Sequence, residues 1–454
     1  MALVQITLAF VLTLALLVTV HEYGHFWVAR RCGVKVLRFS VGFGKPLFSW
    51  HDSQGTEYVI AWIPLGGYIK MLDEREGPVP VEERSRAFNR KHPVIRMLVV
   101  LAGPVANLLL AFFVLWVMYL VGLRAPVPVV GSVVPDSAAY DAGVMPGQEI
   151  VAVNERSAGD WRAVNEALLA EAVHSDAIRL SVREQGSPAS EAETRLVRLD
   201  DWKAAGAQAT SIITGLGIVP WQPEVEAVIG RVLPGEAAER ADLREGDRIH
   251  SVNDQPVADW GHWVAMLRAS PGETLALDVT RNDEHVTVYL TPSAKKQGGG
   301  PDVGYIGAAP VAVPWPADKL RTVRKGPLAA LSVSAEKTLW LSTTVVTSLA
   351  KMLTGVTSLD QLSGPIGIAR AAGASMAGGL TNFLGFLAML SVSLGIINLL
   401  PVPTLDGGHF LFHLAELVRG KPLPENVQDF SVRVGLILIL GMMCTALVND
   451  FSRM

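Results

Sequence analysis

The chain has 454 residues and a mass of 48.7 kDa; half of it is hydrophobic and 18% is charged, against roughly 25% charged in an ordinary soluble domain. With a net charge of −4 and a mean hydropathy of +0.33, it is neither a disordered tail, nor collagen-like, nor a basic nucleic-acid binder, and it is too apolar to be purely soluble. Its two cysteines, Cys32 and Cys444, lie far apart, so no disulfide framework is indicated.

Ala2 to Val20 carries no charge, and at about 1.5 Å per helical residue it spans roughly 28 Å, close to one hydrocarbon thickness. No Lys or Arg precedes the run and no small-x-small site follows it, which favours a retained span over a cleaved signal peptide. The span runs into His21-Glu22-Tyr23-Gly24-His25. On a helix, residues four apart share a face, so both imidazoles can reach one metal while Glu22 stands beside them, placed to take a proton from water. The alternative is two histidines paired with backbone or headgroups at an interface, an expensive arrangement without a function.

Beyond this motif, Val34 to Phe48 and Glu57 to Ile63 read as strands around a turn at Asp52-Ser53-Gln54-Gly55. Met97 to Leu123 is a second uncharged run, and its Gly103-Pro104-Val105-Ala106-Asn107 predicts tight helix packing through small residues and a buried Asn. Arg30, Arg31, Lys35 and Arg38 follow the first span, and Arg84, Arg86, Arg90, Lys91 and Arg96 lead into the second. This connection should therefore be cytoplasmic, with the N-terminus and the segment from Arg124 to about Arg370 outside.

That outer segment contains a repeat. At an offset of 99 residues, Val129 to Trp161 aligns with Val228 to Trp260 with 13 of 33 positions identical, among them Val153-Asn154/Val252-Asn253 and Asp160-Trp161/Asp259-Trp260. The order of strand, short Ala-bearing helix, Gly turn and strand resembles the circularly permuted PDZ domain of bacterial envelope proteases. Gly215-Leu216-Gly217-Ile218 and Gly304-Tyr305-Ile306-Gly307 look like the loop that captures a peptide C-terminus, because exposed backbone N–H groups can hold a carboxylate beside a strand edge. A pair of steric filters is the equal alternative.

Gly326 to Gly355 reads as an amphipathic helical stretch, with Thr338 to Ala350 too short to cross a membrane, and Leu362-Ser363-Gly364-Pro365-Ile366-Gly367 as a break. A third uncharged run covers Ala371 to Leu405 and a fourth Val434 to Asn449, the last extended by flanking residues from Phe430. The third runs into Asn398-Leu399-Leu400-Pro401-Val402-Pro403-Thr404-Leu405-Asp406-Gly407-Gly408-His409. Two prolines break the helix and a carboxylate follows, at the same cytoplasmic depth as the histidine motif. Catalytic zinc commonly has three protein ligands, and Asp406 is a candidate for the third; on chemistry alone His409 and His413 stay open, and Asp406 can equally be a turn aspartate before two glycines.

HEYGH closing a first span, together with NLLPVPTLDGG closing a later one, resembles the intramembrane zinc metalloproteases of the site-2 protease family. The tandem PDZ-like repeats bring the resemblance closer to the bacterial regulator of sigma-E protease type, over essentially the whole chain. It implies that His21, His25 and Asp406 bind Zn2+ and that Glu22 is the general base and later the acid. It also implies that Asn398 helps hold substrate, and that the segment with Gly42-Phe43-Gly44 and Gly66, Gly67, Tyr68 and Ile69 belongs to a β region dipping into the membrane.

The expected fold is a polytopic α-helical membrane protein of four spans (1–29, 94–123, 371–406 and 429–450), with a β region at 30–93. Two tandem permuted PDZ domains (124–221 and 222–312), an amphipathic region (313–370) and a cytoplasmic loop (407–428) complete it. The expected activity is hydrolysis within the transmembrane segment of a single-pass protein already trimmed outside, an anti-sigma factor in envelope-stress signalling, with remnant signal peptides as a second class. The expected surroundings are the lipid bilayer of the bacterial inner membrane and peptide C-termini at the PDZ domains, with no nucleic acid. A non-enzymatic PDZ scaffold would not need Glu22, and a metal carrier would need a polar path through the spans.

Overall fold

The computed structural model describes residues 2–172, 175–199, 212–296, 302–354 and 364–452. The chain forms two units, one holding the residues up to Leu123 and from Arg324 onward, the other Arg124–Val323.

In the first unit, helix α1 (Ala2–Arg31) continues unbroken through the histidine motif; its 30 residues reach roughly 45 Å at 1.5 Å each. Strands β1 (Val36–His51) and β2 (Glu57–Met71) follow, then α2 (Pro93–Val121), α3 (Pro327–Leu353), α4 (Pro365–Ala377), α5 (Leu380–Asn398), α6 (Asp406–Arg419) and α7 (Glu425–Ser452). Among the described residues four helices are long and apolar enough to cross a membrane: Val4–Arg31, Pro93–Val121, Leu380–Asn398 and Asn426–Phe451. The last leaves Phe430, Ile437, Leu438 and Val448 exposed, as expected of a helix apolar all round and covered by lipid.

The third span is shorter than the uncharged run that announced it. Gly378 closes α4, and Gly379, at φ +97°, turns the chain before α5 begins at Leu380, because only glycine adopts such a φ without strain. Ala371 to Ala377 therefore belongs to a separate helix packed on α1, where Gly373 meets Ile6. At the other end α5 stops at Asn398, and the expected loop after Asp406 is helix α6. The stretch around Thr338 to Ala350 is part of one 27-residue helix, α3; Lys337 does not interrupt it but lies over the Trp340 ring at 3.7 Å. Ala330 and Ser334 are fully buried on its inner face. In the expected break, Leu362 and Ser363 lie outside the described residues, while Gly364 caps α4, its N–H and those of Ile366 and Gly367 donating to the Asp450 carboxylate at the end of α7.

Strands β1 and β2 pair along nearly their whole length, with the first part of β1 meeting both ends of β2: Ser40 faces Tyr68 and also Val59. Gly42 and Gly44 at φ +92° and +91° bend β1 between its two pairings. The ribbon exposes Phe48, Trp50, Trp62 and Ile63, apolar side chains of the kind that water-facing surfaces seldom gather.

In the second unit the repeat is visible residue by residue. Arg156–Ser157, Gln148–Val153, Ala177–Glu184 and Glu193–Arg198 form one four-stranded sheet in that order; Gln255–Pro256, Arg248–Val252, Leu275–Arg281 and Glu284–Leu290 form the other. Asn154 and Asn253 end equivalent strands at φ +52° and +48°, and each side-chain Oδ1 accepts from the next strand, at Arg179 and Ala276. Asp160 and Asp259 cap the helices Trp161–Ala172 and Trp260–Ala269 by accepting from Ala163 and His262. The shared residues are thus those with a backbone duty.

The candidate peptide loops fall into register through two bonds. Ala139 N–H donates to Leu216 O and Ala238 N–H to Ile306 O, and Gly217 and Gly307 follow at φ +82° and +73°. Ile218 thus corresponds to Ala308, one residue beyond the Gly304-Tyr305-Ile306-Gly307 frame, and Gly304 lies within strand Asp302–Tyr305 where the first copy has the helical turn Ile212–Gly215.

Candidate metal centre

His21 and His25 leave the same face of α1, one turn apart, and both are buried. Their Nε2 atoms lie 3.2 Å from each other and 3.1 and 3.5 Å from Asp406 Oδ2. Zinc bonds of about 2.0–2.1 Å at tetrahedral angles place neighbouring ligand atoms roughly 3.3–3.4 Å apart, so the three atoms already stand at the spacing of a zinc shell.

The protonation states support the same reading. His25 Nδ1 lies 2.7 Å from Val99 O; a carbonyl only accepts, so Nδ1 carries a proton, and the neutral ring turns an Nε2 lone pair toward Asp406. Asp406 Oδ2 is buried and has no N–H or O–H donor to satisfy it. A carboxylate oxygen facing the His25 lone pair is unfavourable without a cation between them, and this donor set fits zinc.

Local sequence explains how Asp406 arrives there. Pro401 and Pro403 prevent α5 from continuing, and the chain turns tightly, with Val402 N–H donating to Leu400 O and Leu405 N–H to Val402 O. Helix α6 then folds back onto this turn: a Cβ on Gly407 would lie 2.3 Å from Leu399 O and Leu400 O, and one on Gly408 2.3 Å from Val402 O. The two glycines permit that close approach and set Asp406 at the first position of α6.

The cluster lines a cavity of about 420 Å³ together with Glu22, Tyr68 and Ile69. The Ile69 backbone N–H faces the Glu22 carboxylate, and a Cβ on Gly67 would sit 2.7 Å from Ser40 O and 3.4 Å from Glu22 Cγ. Gly66, at φ +150°, packs under the Phe43 ring. Asn398 ends α5 and is not among the residues lining this cavity. Of the rival ligands, His409 and His413 both line the cavity, His409 edge-on to Phe412 and His413 to Phe88; neither joins the candidate metal cluster, which among the described residues comprises His21, His25 and Asp406. Burial holds His409 below its usual value. Burial, reinforced by the Arg96 charge, pushes His413 down to about 3, so His413 is a neutral packing imidazole. Arg96 itself is buried and donates to Glu416 at 2.5 Å.

Two residues read from the sequence as helix packing also reach the centre. A Cβ on Gly103 would meet His25 Nε2 at 2.2 Å and His21 Cε1 at 2.8 Å, and the Asn107 amide lies 3.2 Å from His21 Nδ1. Their four-residue spacing, matching that of the two histidines, was the available signal.

The profile of peptidase family M50 matches residues 9–442. The chain is 44% identical to the regulator of sigma-E protease RseP of Escherichia coli (strain K12) and 43% identical to the protease RseP of Yersinia pestis, in each case over 98% of both chains. It is 41% identical to a regulator of sigma E protease of Haemophilus influenzae, again over 98% of both. With three zinc-spaced ligand atoms beside a glutamate at the end of a membrane-length helix, the chain belongs to peptidase family M50 and is an intramembrane zinc metalloprotease.

Proposed function

We propose that this protease sits in the inner membrane with its N-terminus and the Arg124–Val323 unit on the periplasmic side, and cuts within the transmembrane segment of single-pass proteins already trimmed there. The convergence of His21, His25 and Asp406 beside Glu22 carries the reading, and the basic residues clustered between the first two spans support the orientation. An anti-sigma factor is the favoured substrate class, in keeping with the names of the relatives, and remnant signal peptides are a second.

His21, His25 and Asp406 hold the metal in this reading. Bound zinc supplies Lewis acidity toward water and the scissile carbonyl. Glu22 takes the proton from the attacking water and returns it to the leaving amine, and the Ile69 N–H keeps its carboxylate turned to the cavity. A helical substrate offers no free backbone groups, so it must be held extended. Gly67 to Met71 of β2 pairs on one side with β1, and its other edge is assigned to the extended substrate as an added strand. Asn398 is assigned to holding the substrate backbone.

The test is incubation of the purified protein in detergent with tagged single-pass substrates, trimmed and untrimmed, with cut sites mapped by mass spectrometry. Cuts should fall inside the apolar segment of the trimmed substrate only, vanish with a chelator and return with zinc. Chelator-resistant cleavage, or cuts confined to flanking loops, would refute the proposal.

The repeats are read as permuted PDZ domains, and one difference between them favours peptide capture by the second. In the first, Leu216 and Gly217 N–H groups already donate to Ile212 O and Thr214 O; among the described residues Ile306 and Gly307 N–H groups have no such acceptor. A fluorescent peptide with a free apolar C-terminus should therefore bind the full chain saturably, weaken at least about tenfold on Gly307→Val, and be insensitive to Gly217→Val. Absence of saturable binding would leave steric filtering as the role of both domains.

A further inference from the structure

We propose that Asn107 is a positioning residue of the zinc centre, accepting the Nδ1 proton of His21 and so holding its Nε2 lone pair on the metal. The inference rests on the ligand set proposed above.

Asn107 lies in the middle of α2 and is completely buried. Its amide is 3.2 Å from His21 Nδ1, with the Nδ2 atom nearest and Oδ1 left without any partner. Amide oxygen and nitrogen are exchanged by a half-turn that leaves the side-chain shape unchanged. In the orientation with Nδ2 toward the ring, a buried oxygen is stranded and His21 must carry its proton on Nε2, pointing at the metal position. The half-turn settles the tautomer: Oδ1 accepts from Nδ1–H, and Nε2 faces Asp406 as a lone pair, 3.1 Å away. His25 has the same arrangement, its Nδ1 donating to Val99 O. Both outer partners therefore come from α2, one a main-chain carbonyl and one a side chain.

The Asn107 side chain is well placed to aim a ring. Ser391 Oγ, fully buried on α5, donates to Asn107 O at 2.7 Å, and Gly395 brings α5 so close that a Cβ there would lie 3.0 Å from Pro104 O and 3.5 Å from Asn107 Cβ. The third span thus clamps the backbone that carries the amide. Outer partners of metal-bound histidines set ring orientation and tautomer, and their loss commonly lowers affinity by about 10–100-fold.

The test is zinc affinity of the purified full chain in detergent, by competition with a chromogenic chelator, for wild type, Asn107→Leu and Asn107→Asp, with thermal unfolding of the zinc-free proteins in parallel. Leu matches the volume but accepts nothing; its affinity should fall by about 10–100-fold. Asp keeps an acceptor and should stay within a few-fold of wild type. A packing role predicts the reverse order, since an apolar side chain is tolerated among helices better than a carboxylate. Wild-type affinity in the Leu variant, or equal loss in both, would overturn the assignment. Should the Asp variant not accumulate, the absorption spectrum of cobalt-loaded Asn107→Leu decides: a changed spectrum supports the role, and an unchanged one refutes it. If wild type itself binds no zinc, the ligand set fails rather than Asn107.

Discussion

Glu22→Gln is expected to remove cleavage while leaving zinc in place. Glu22 lines the cavity but is outside the ligand cluster, so the amide, with the same shape, should leave the His21, His25 and Asp406 atoms where they are. What it removes is a group that can take a proton at the attacking water and give one to the leaving amine. General acid–base groups contribute roughly 10²–10⁴-fold, and one residue serving both transfers belongs at the upper end, so a fall of about 10³-fold or more is expected at unchanged zinc content. The measurement is initial cleavage rate of a trimmed single-pass substrate beside metal analysis of the same preparations. Equal rates would exclude Glu22 from proton transfer, and loss of zinc with activity would make it part of the metal shell. A scaffold or a metal carrier would be indifferent to this change.

The grouping of the candidate ligands was legible because it lies in local spacing. HEYGH on a membrane-length helix dictates two imidazoles on one face, and α1 runs straight through it. Asp406 could be named because prolines and a carboxylate follow a long apolar run. Its surroundings were less readable: Gly407 and Gly408 look like a turn, yet they are helical and serve a close approach to Leu399, Leu400 and Val402, a contact that depends on how α6 folds back. Hydropathy alone merged Ala371 to Leu405 into one span, since it registers the absence of charge but not the left-handed Gly379 that separates α4 from α5. The repeat was legible because its identities mark turns and caps, whereas the one-residue shift of the second loop rests on strand pairing that no spacing reveals. Gly103 and Asn107 were read as packing because a sequence shows that a helix face is small, and not which rings it meets.

Gly103→Ala should sharply weaken zinc binding with little effect on the stability of the zinc-free protein. The added methyl would sit 2.2 Å from His25 Nε2, 2.6 Å from His25 Cε1 and 2.8 Å from His21 Cε1, inside the contact distance of any carbon pair, so at least one ring must rotate away from Asp406. A site held to within about 0.5 Å tolerates no such movement, and a drop of about 100-fold or more in zinc affinity follows, with cleavage lost alongside. Stability behaves differently. Alanine in a helix interior is favoured over glycine by about 0.8–1.0 kcal/mol, which offsets the loss of one hydrogen bond, about 1 kcal/mol, if His25 releases Val99 O. The zinc-free protein should therefore unfold within a few degrees of wild type. Gly385→Ala is the matched control: it lies in another span, where a Cβ would meet Met118 Sδ at an ordinary 3.6 Å, and zinc binding should be unchanged. Wild-type zinc affinity in Gly103→Ala would show that the rings are not held against α2, and the spacing of the three ligand atoms would then need another cause.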